Sequence, residues 1–297
     1  MVLILSIGFF TFIVVLTVFG WRRSQDKKNY LIKNIIGLVV ALLLLFLFGP
    51  LFVFSPLKLG YQTETIENNT VIYPVRWEDK KEQFAQLINQ AEKTVLEFYP
   101  QKFPVTIILA KNNFDLFRFT GQRGGGNNSL GRVYISSSHM DEGLITAELS
   151  HYYLFKTASH SSLYFPRWFD EGLAIYLGRH GSVAKFTHPE QLQKLLEDSR
   201  YPKALDSWNG FGGQLRWMKQ IFTGGYVTHM YTHSYYLVRS LIEEHGLGKL
   251  QAFVNELKTS SSFETAFQEA YGLSTDQFGK QFVDFAQKYL QTNLRNH

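Results

Sequence analysis

LITAELSHYYLF (144–155) is followed at 165–177 by FPRWFDEGLAIYL, and the two stretches together set the architecture of the chain around them. Both are apolar at helical spacing and flanked by breakers, which predicts helices over 141–157 and 166–180. Residues three and four apart share a helical face. Ala147, Glu148 and His151 therefore line one side of the first helix. On the second, Pro166 suits a first turn, Gly172 permits close packing, and Glu171 falls 20 residues after His151.

The chain on either side divides by character. Downstream, further helices are predicted over 188–197, 226–245, 247–258, 262–271 and 274–291. Upstream, TVIYPV (70–75), FPVTIILA (103–110) and GRVYISSS (131–138) read as strands, and 76–99 as an amphipathic helix. GQRGGGNNSLG (121–131) lacks the GK[ST] ending of a phosphate cradle and reads as a flexible loop. Strands first and helices after imply an α+β fold.

Met1–Gly20 and Asn34–Leu57 carry no charge, and each is near the ~20 apolar residues that cross a bilayer. The intervening loop, residues 21–33, is rich in Lys and Arg. The positive-inside rule places it in the cytoplasm. The expectation is two membrane spans, 1–20 and 34–57, with the N-terminus and a domain over 62–297 outside the cytoplasm. A signal peptide is the alternative for the first span, but Met1–Gly20 has no basic start and no A-x-A-like cleavage site.

The net charge of +5 sits entirely before residue 62, where Arg22, Arg23, Lys27, Lys28, Lys33 and Lys58 face Asp26 alone. The rest of the chain is balanced, which excludes a nucleic-acid footprint. With no cysteine, disulfides and thiolate metal sites are excluded as well, so a metal needs His and carboxylate ligands.

Change Ala147 to His and the first stretch reads HELSH, the HExxH pattern in which two histidines bind zinc and the glutamate serves as general base. Glu171 is at the distance of a third ligand. Its local alternative is pairing with Arg167 or Arg179 on its own helix. Together the two stretches resemble the core of the gluzincin-type peptidases of the peptidase-MA clan. In particular they are similar to small bacterial members with HElxH followed by lPxWxxEGlA. MYTHSYYLVRSLIEEHG (230–246), FETAFQEAYGLSTDQFGKQFVDF (263–285) and YPQKFPVTIILAKNNFDLF (99–117) extend the likeness over roughly residues 70–290. The resemblance implies a zincin-like domain of a small sheet with helices and a mostly helical C-terminal half, zinc as cofactor, and peptide-bond hydrolysis. It implies Glu148 as general base, His151 and Glu171 as zinc ligands, and Tyr231 as a hydrogen-bond donor to the oxyanion. Arg132, Val133, Tyr134, Ile135 and Ser136 are implied as the edge strand on which an extended peptide docks.

Ala147 stands where the first zinc ligand belongs. A structural zinc site contributes roughly 10–16 kcal/mol over four ligands, so one ligand carries on the order of 3 kcal/mol, about 100-fold in affinity. Three readings follow. The chain is a peptidase inactivated at one ligand, by nature or by design. Or the site is rebuilt with His233 or His229, which flank Tyr231, with His139 and His160 as weaker candidates. Or it is a pseudo-protease that binds a peptide or protein at the membrane surface without cleaving it.

Overall fold

The computed structural model describes residues 15, 17–49, 51–122, 124–201, 205 and 210–293. It is α+β, with a five-stranded sheet and a mostly helical remainder. The chain forms two compact units, Met1–Lys81 with Val105–Met140, and Glu82–Pro104 with Asp141–His297.

In the first unit, residues 17–23 are helical and α1 covers Lys27–Phe48. Asp26 caps α1 by accepting from the Asn29 amide at 3.1 Å. The two segments lie side by side: Thr17 Oγ1 donates to Asn34 Oδ1 at 3.4 Å, and a Cβ on Gly20 would overlap the Tyr30 hydroxyl. Most of the expected first span, 1–20, lies outside the described residues. The expected second span, 34–57, is displaced toward the N-terminus, because helix occupies 27–33 of what reads as a loop and stops at Phe48. Gly49 precedes Pro50, and a residue before proline is pushed out of the α region. α1 alone among the described helices is long and apolar enough to cross a membrane. Its 22 residues reach about 33 Å. Phe52, assigned to the span on composition, is instead 1% exposed in the core of the sheet with Tyr61, Leu116, Phe119 and Tyr134.

The strands are β1 (Tyr61–Ile66), β2 (Asn69–Pro74), β3 (Thr106–Ala110), β4 (Gly126–Ser129) and β5 (Arg132–Ser136), in the order β1-β2-β3-β5-β4. β2, β3 and β5 run parallel, and β1 and β4 are antiparallel edges. Two expectations change here. The Gly-rich segment is not all loop: Leu130 and Gly131, at φ 54° and 66°, make a two-residue turn that folds β4 onto β5. Positive φ at both central residues is the type I′ geometry that matches strand twist. Consequently Arg132–Ser136 is no edge strand, since β3 and β4 flank it on both sides. α3 (Asn113–Thr120) follows β3, capped by Asn112, whose side chain accepts from the Asp115 amide at 3.0 Å.

The second unit is built from α2 (Lys81–Phe98), α4 (Glu142–Ala158), α5 (Arg167–Leu177), α6 (Pro189–Glu197), α7 (Gly210–Thr223), α8 (Val227–His245), α9 (Leu247–Glu256), α10 (Phe263–Tyr271) and α11 (Thr275–Asn293). α7 lies in a stretch with three glycines among four residues, too poor in helix propensity to be expected. α4 begins at Asp141, which accepts from the Leu144 amide at 3.0 Å, and is buried along most of its length. α5 packs against α4 on one side and α8 on another. At the α5–α8 crossing a Cβ on Gly172 would overlap the Ser234 carbonyl oxygen, so only glycine allows this approach. Trp168 and Phe169 of α5 drive into an aromatic core, Trp168 against Phe263, Phe267 and Phe278, and Phe169 against Phe253. Burying such rings contributes about 1.5–3 kcal/mol each. It anchors α5 and so fixes the height of Asp170 and Glu171 on the helix.

Candidate functional site

The neighbouring helices α4 and α5 bring His151 and Glu171 together, as their spacing predicts. His151 Nε2 lies 3.5 Å from Glu171 Oε2. The other ring nitrogen, Nδ1, is 2.5 Å from Asp170 Oδ1. Arg167 closes the group: Nη1 donates to Asp170 Oδ2 at 2.8 Å and Nη2 donates to Glu171 Oε1. The guanidinium also lies 5.3 Å from the centroid of the Trp217 ring. Two acids and two bases thus form one buried network, with His151, Asp170 and Glu171 each under a tenth exposed.

The network sets the charges. Burial opposes a charged His151, but Asp170 and Glu171 outweigh it and raise the imidazole well above its usual range. For Glu171, burial pushes upward while Arg167 and His151 hold the carboxyl below its usual value. Glu148 behaves differently. Burial pushes it up to about 7, against a smaller pull from the His151 charge. Its neighbour in the field, Tyr231, is raised by burial and by Glu171, so the phenol stays protonated. Tyr231 packs on Phe186 at 4.8 Å and on Trp217 at 5.6 Å, the same tryptophan that supports Arg167. Glu148, His151, Glu171 and Tyr231 therefore share one locality, as the sequence implies.

Position 147 is enclosed. A Cβ on Gly143 would overlap the His180 carbonyl oxygen, and one on Gly178 would overlap the Gly143 carbonyl and approach Ala147 Cβ to 3.2 Å. The segment leaving α5 thus lies directly on this face of α4, and Ala147 is 6% exposed. A larger side chain there has to clear the Gly178 backbone.

His233 and His229 do not join the group. On α8 each is two residues from Tyr231, about 200° around the helix, which turns both away from it. His233 Nδ1 meets the Tyr201 hydroxyl at 3.3 Å and its ring lies 5.0 Å from Phe282. His229 Nε2 faces Asp198 at 3.6 Å. The weaker candidates are also engaged elsewhere, His139 with Ser138 Oγ at 2.9 Å and His160 with the Leu257 carbonyl at 3.1 Å.

The donor set does not suit a resident catalytic zinc, which takes three protein ligands and a water. His151 and Glu171 supply two, and one Glu171 oxygen is held by Arg167. Among the described residues no three His, Asp or Glu side chains converge as a metal-binding group. Two participants escaped the sequence reading. Asp170 is the carboxylate that orients His151, and its signal was adjacency to Glu171 with Arg167 three residues before it. Arg167 entered only as a local partner of Glu171, and that pairing is what forms.

No protein-family model matches the chain, and no curated protein does. Among solved structures, yeast LTA4 hydrolase is similar at 14% identity and TM-score 0.47, over 74% of this chain and 38% of that one. An M1 zinc metallopeptidase from Deinococcus radiodurans is similar at 12% identity and TM-score 0.45, over 75% of this chain and 50% of that one. A point mutant of the same enzyme gives the same figures. The chain spans half or less of the length of these proteins.

Proposed function

We propose that this chain is a membrane-anchored, metallopeptidase-like protein that does not hydrolyse peptides as it stands and serves to bind a peptide or protein segment at the bilayer surface. The observation that carries the reading is Arg167. Its guanidinium bridges Asp170 and Glu171, so that together with charged His151 it supplies the positive charge a metal would bring. The metal-dependent route needs a Lewis acid that lowers the pKa of the attacking water from about 15.7 toward ~7, and two ligands, one of them held by Arg167, make a poor site for one. Glu148, pushed up to about 7, is protonated in half of the molecules at that pH. In that form it donates a hydrogen bond, as does the Tyr231 hydroxyl. Two donors beside a closed ion network suit a backbone carbonyl as guest.

Anchoring rests on α1, with residues 17–23 beside it. The orientation proposed is the one the Lys/Arg-rich turn favours, with the N-terminus and the C-terminal domain outside the cytoplasm. Cleavage of the 21–33 segment by protease added outside intact cells would overturn that orientation.

The test of function compares the full chain in detergent with Ala147→His for zinc content and peptide hydrolysis. The reading expects neither zinc nor cleavage in the starting chain. Stoichiometric zinc and turnover in the unaltered protein would refute it.

A further inference from the structure

Among the described residues after α1, three phenyl side chains of the first unit are exposed. Phe114 is 71% exposed, Phe54 46% and Phe117 42%. Exposed large apolar side chains that share a face mark an interaction surface. Their position is tied to α1 by a specific bond. Arg118 Nη1 donates to the carbonyl of Phe48, the last residue of α1, at 2.9 Å, while its Nε holds Asp115 at 2.7 Å. Phe114, Phe117 and Arg118 share one face of α3, being three and four residues apart. The two phenyls therefore sit at the level where α1 ends. Phe54 lies two residues after Phe52, whose ring stacks on Phe119 of α3 at 4.7 Å and lies 5.9 Å from the Arg118 guanidinium. Lys58 fixes this segment by donating to the carbonyls of Phe52 and Val53 at 2.9 Å each. The guanidinium of Arg132 lies 4.4 Å from the Phe54 ring centroid.

We propose that this rim, Phe54, Phe114 and Phe117 with the cations Arg118 and Arg132, is seated in the headgroup–acyl boundary of the bilayer. The inference rests on the reading of α1 as a span. Continuity carries it: a helix of membrane length ends at Phe48, and the Arg118 bond to the Phe48 carbonyl holds the α3 face that carries Phe114 and Phe117 close to that end. The chemistry matches. Aromatic rings bury at that depth, and basic side chains extend to the phosphates of anionic lipids. The consequence is a sheet unit held against the bilayer at a fixed height rather than swinging on a tether.

Because the chain has no cysteine, each introduced thiol is the sole label. The full chain carries Phe114→Cys, Phe117→Cys, Leu44→Cys or Asn68→Cys, one at a time, modified with a fluorophore. Asn68 lies in the β1–β2 turn, at the opposite end of β1 from Tyr61, which packs with Phe52. The labelled chain is reconstituted in phosphatidylcholine/phosphatidylglycerol vesicles containing lipids brominated near the headgroup or deep in the chain. Loss of emission at 114 and 117 from shallow bromines, with loss at 44 from deep bromines and none at 68, is the expected result. Quenching at 44 but not at 114 or 117 overturns the proposal and leaves the span intact. No quenching at any position removes the span and the proposal with it. Disulfide-linked pairs through Phe114→Cys without lipid quenching also overturn it, in favour of a second copy of the chain on this face.

Discussion

Replacing Arg167 by leucine tests whether the guanidinium holds the site together. In the intact protein it faces two buried carboxylates, at 2.8 Å from Asp170 and in closer contact with Glu171. Leucine keeps much of the stem's packing and removes the charge, leaving His151 as the cation between Asp170 and Glu171. Breaking a buried pair by removing one partner costs about 3–5 kcal/mol, because the charge left behind stays desolvated. For a domain of 150–250 residues each kcal/mol shifts Tm by about 2–4 °C, so a fall of roughly 6–20 °C is expected. Thermal denaturation of the full chain in detergent gives the size, and hydrogen exchange over 142–177 gives the place. Arg179→Leu is the control, since Arg179 is exposed, donates to the Tyr176 carbonyl, lies 4.9 Å from the Tyr176 ring centroid and pairs with no buried charge among the described residues. It should change stability by less than about 1 kcal/mol. A fall below about 2 °C for Arg167→Leu, with unchanged exchange in α4 and α5, would refute the reasoning.

The same network predicts that Ala147→His alone regains zinc poorly, because Glu171 stays bound to Arg167 and residue 147 lies under Gly178. Combined with Arg167→Leu, zinc at 100 times its Kd should raise stability by about 2.7 kcal/mol in a melting assay, and equal zinc responses from the single and double variants would contradict the lock. Glu148 predicts a pH dependence with a definite sign: its folded pKa of about 7 lies above the ordinary 4.5, so the stability it contributes is fully present below pH ~4.5 and is lost as pH rises through ~7. Glu148→Gln should therefore melt above the starting chain at pH 8 by as much as ~3 kcal/mol, with the gap closing toward pH 5; a pH-independent difference would remove this account. Gly172→Ala sets a Cβ against the Ser234 carbonyl at the α5–α8 crossing and should cost about 1–3 kcal/mol or more in chemical denaturation; a neutral result would mean α8 can move aside.

Much of this protein was legible before any coordinates. Periodicity alone placed α4, α5, α8 and the C-terminal helices, because an amphipathic repeat has few other ways to bury its apolar face. Spacing put Glu148 and His151 on one face and Glu171 within reach. Local context decided what composition could not. Gly126–Ser129 becomes a strand because a left-handed Leu130–Gly131 turn lays it on β5, although neither glycine nor asparagine favours β structure. Phe52 reads like membrane but lies in the sheet core, since the helix stops at Phe48 with Gly49 in extended backbone. His229 and His233 look like ligands in a linear pattern, yet a helical turn of about 200° carries them to the far side of α8 from Tyr231.

From residue order and periodicity alone came an α+β chain, an apolar N-terminal helix, and two helices that carry Ala147, Glu148, His151 and Glu171 at helical spacing. Which charges meet around His151 depended on the packing of α4 against α5. Ion pairing depends on which buried charges meet at about 3 Å, and α4 had to dock on α5 before Arg167, Asp170, Glu171 and His151 could neutralise one another.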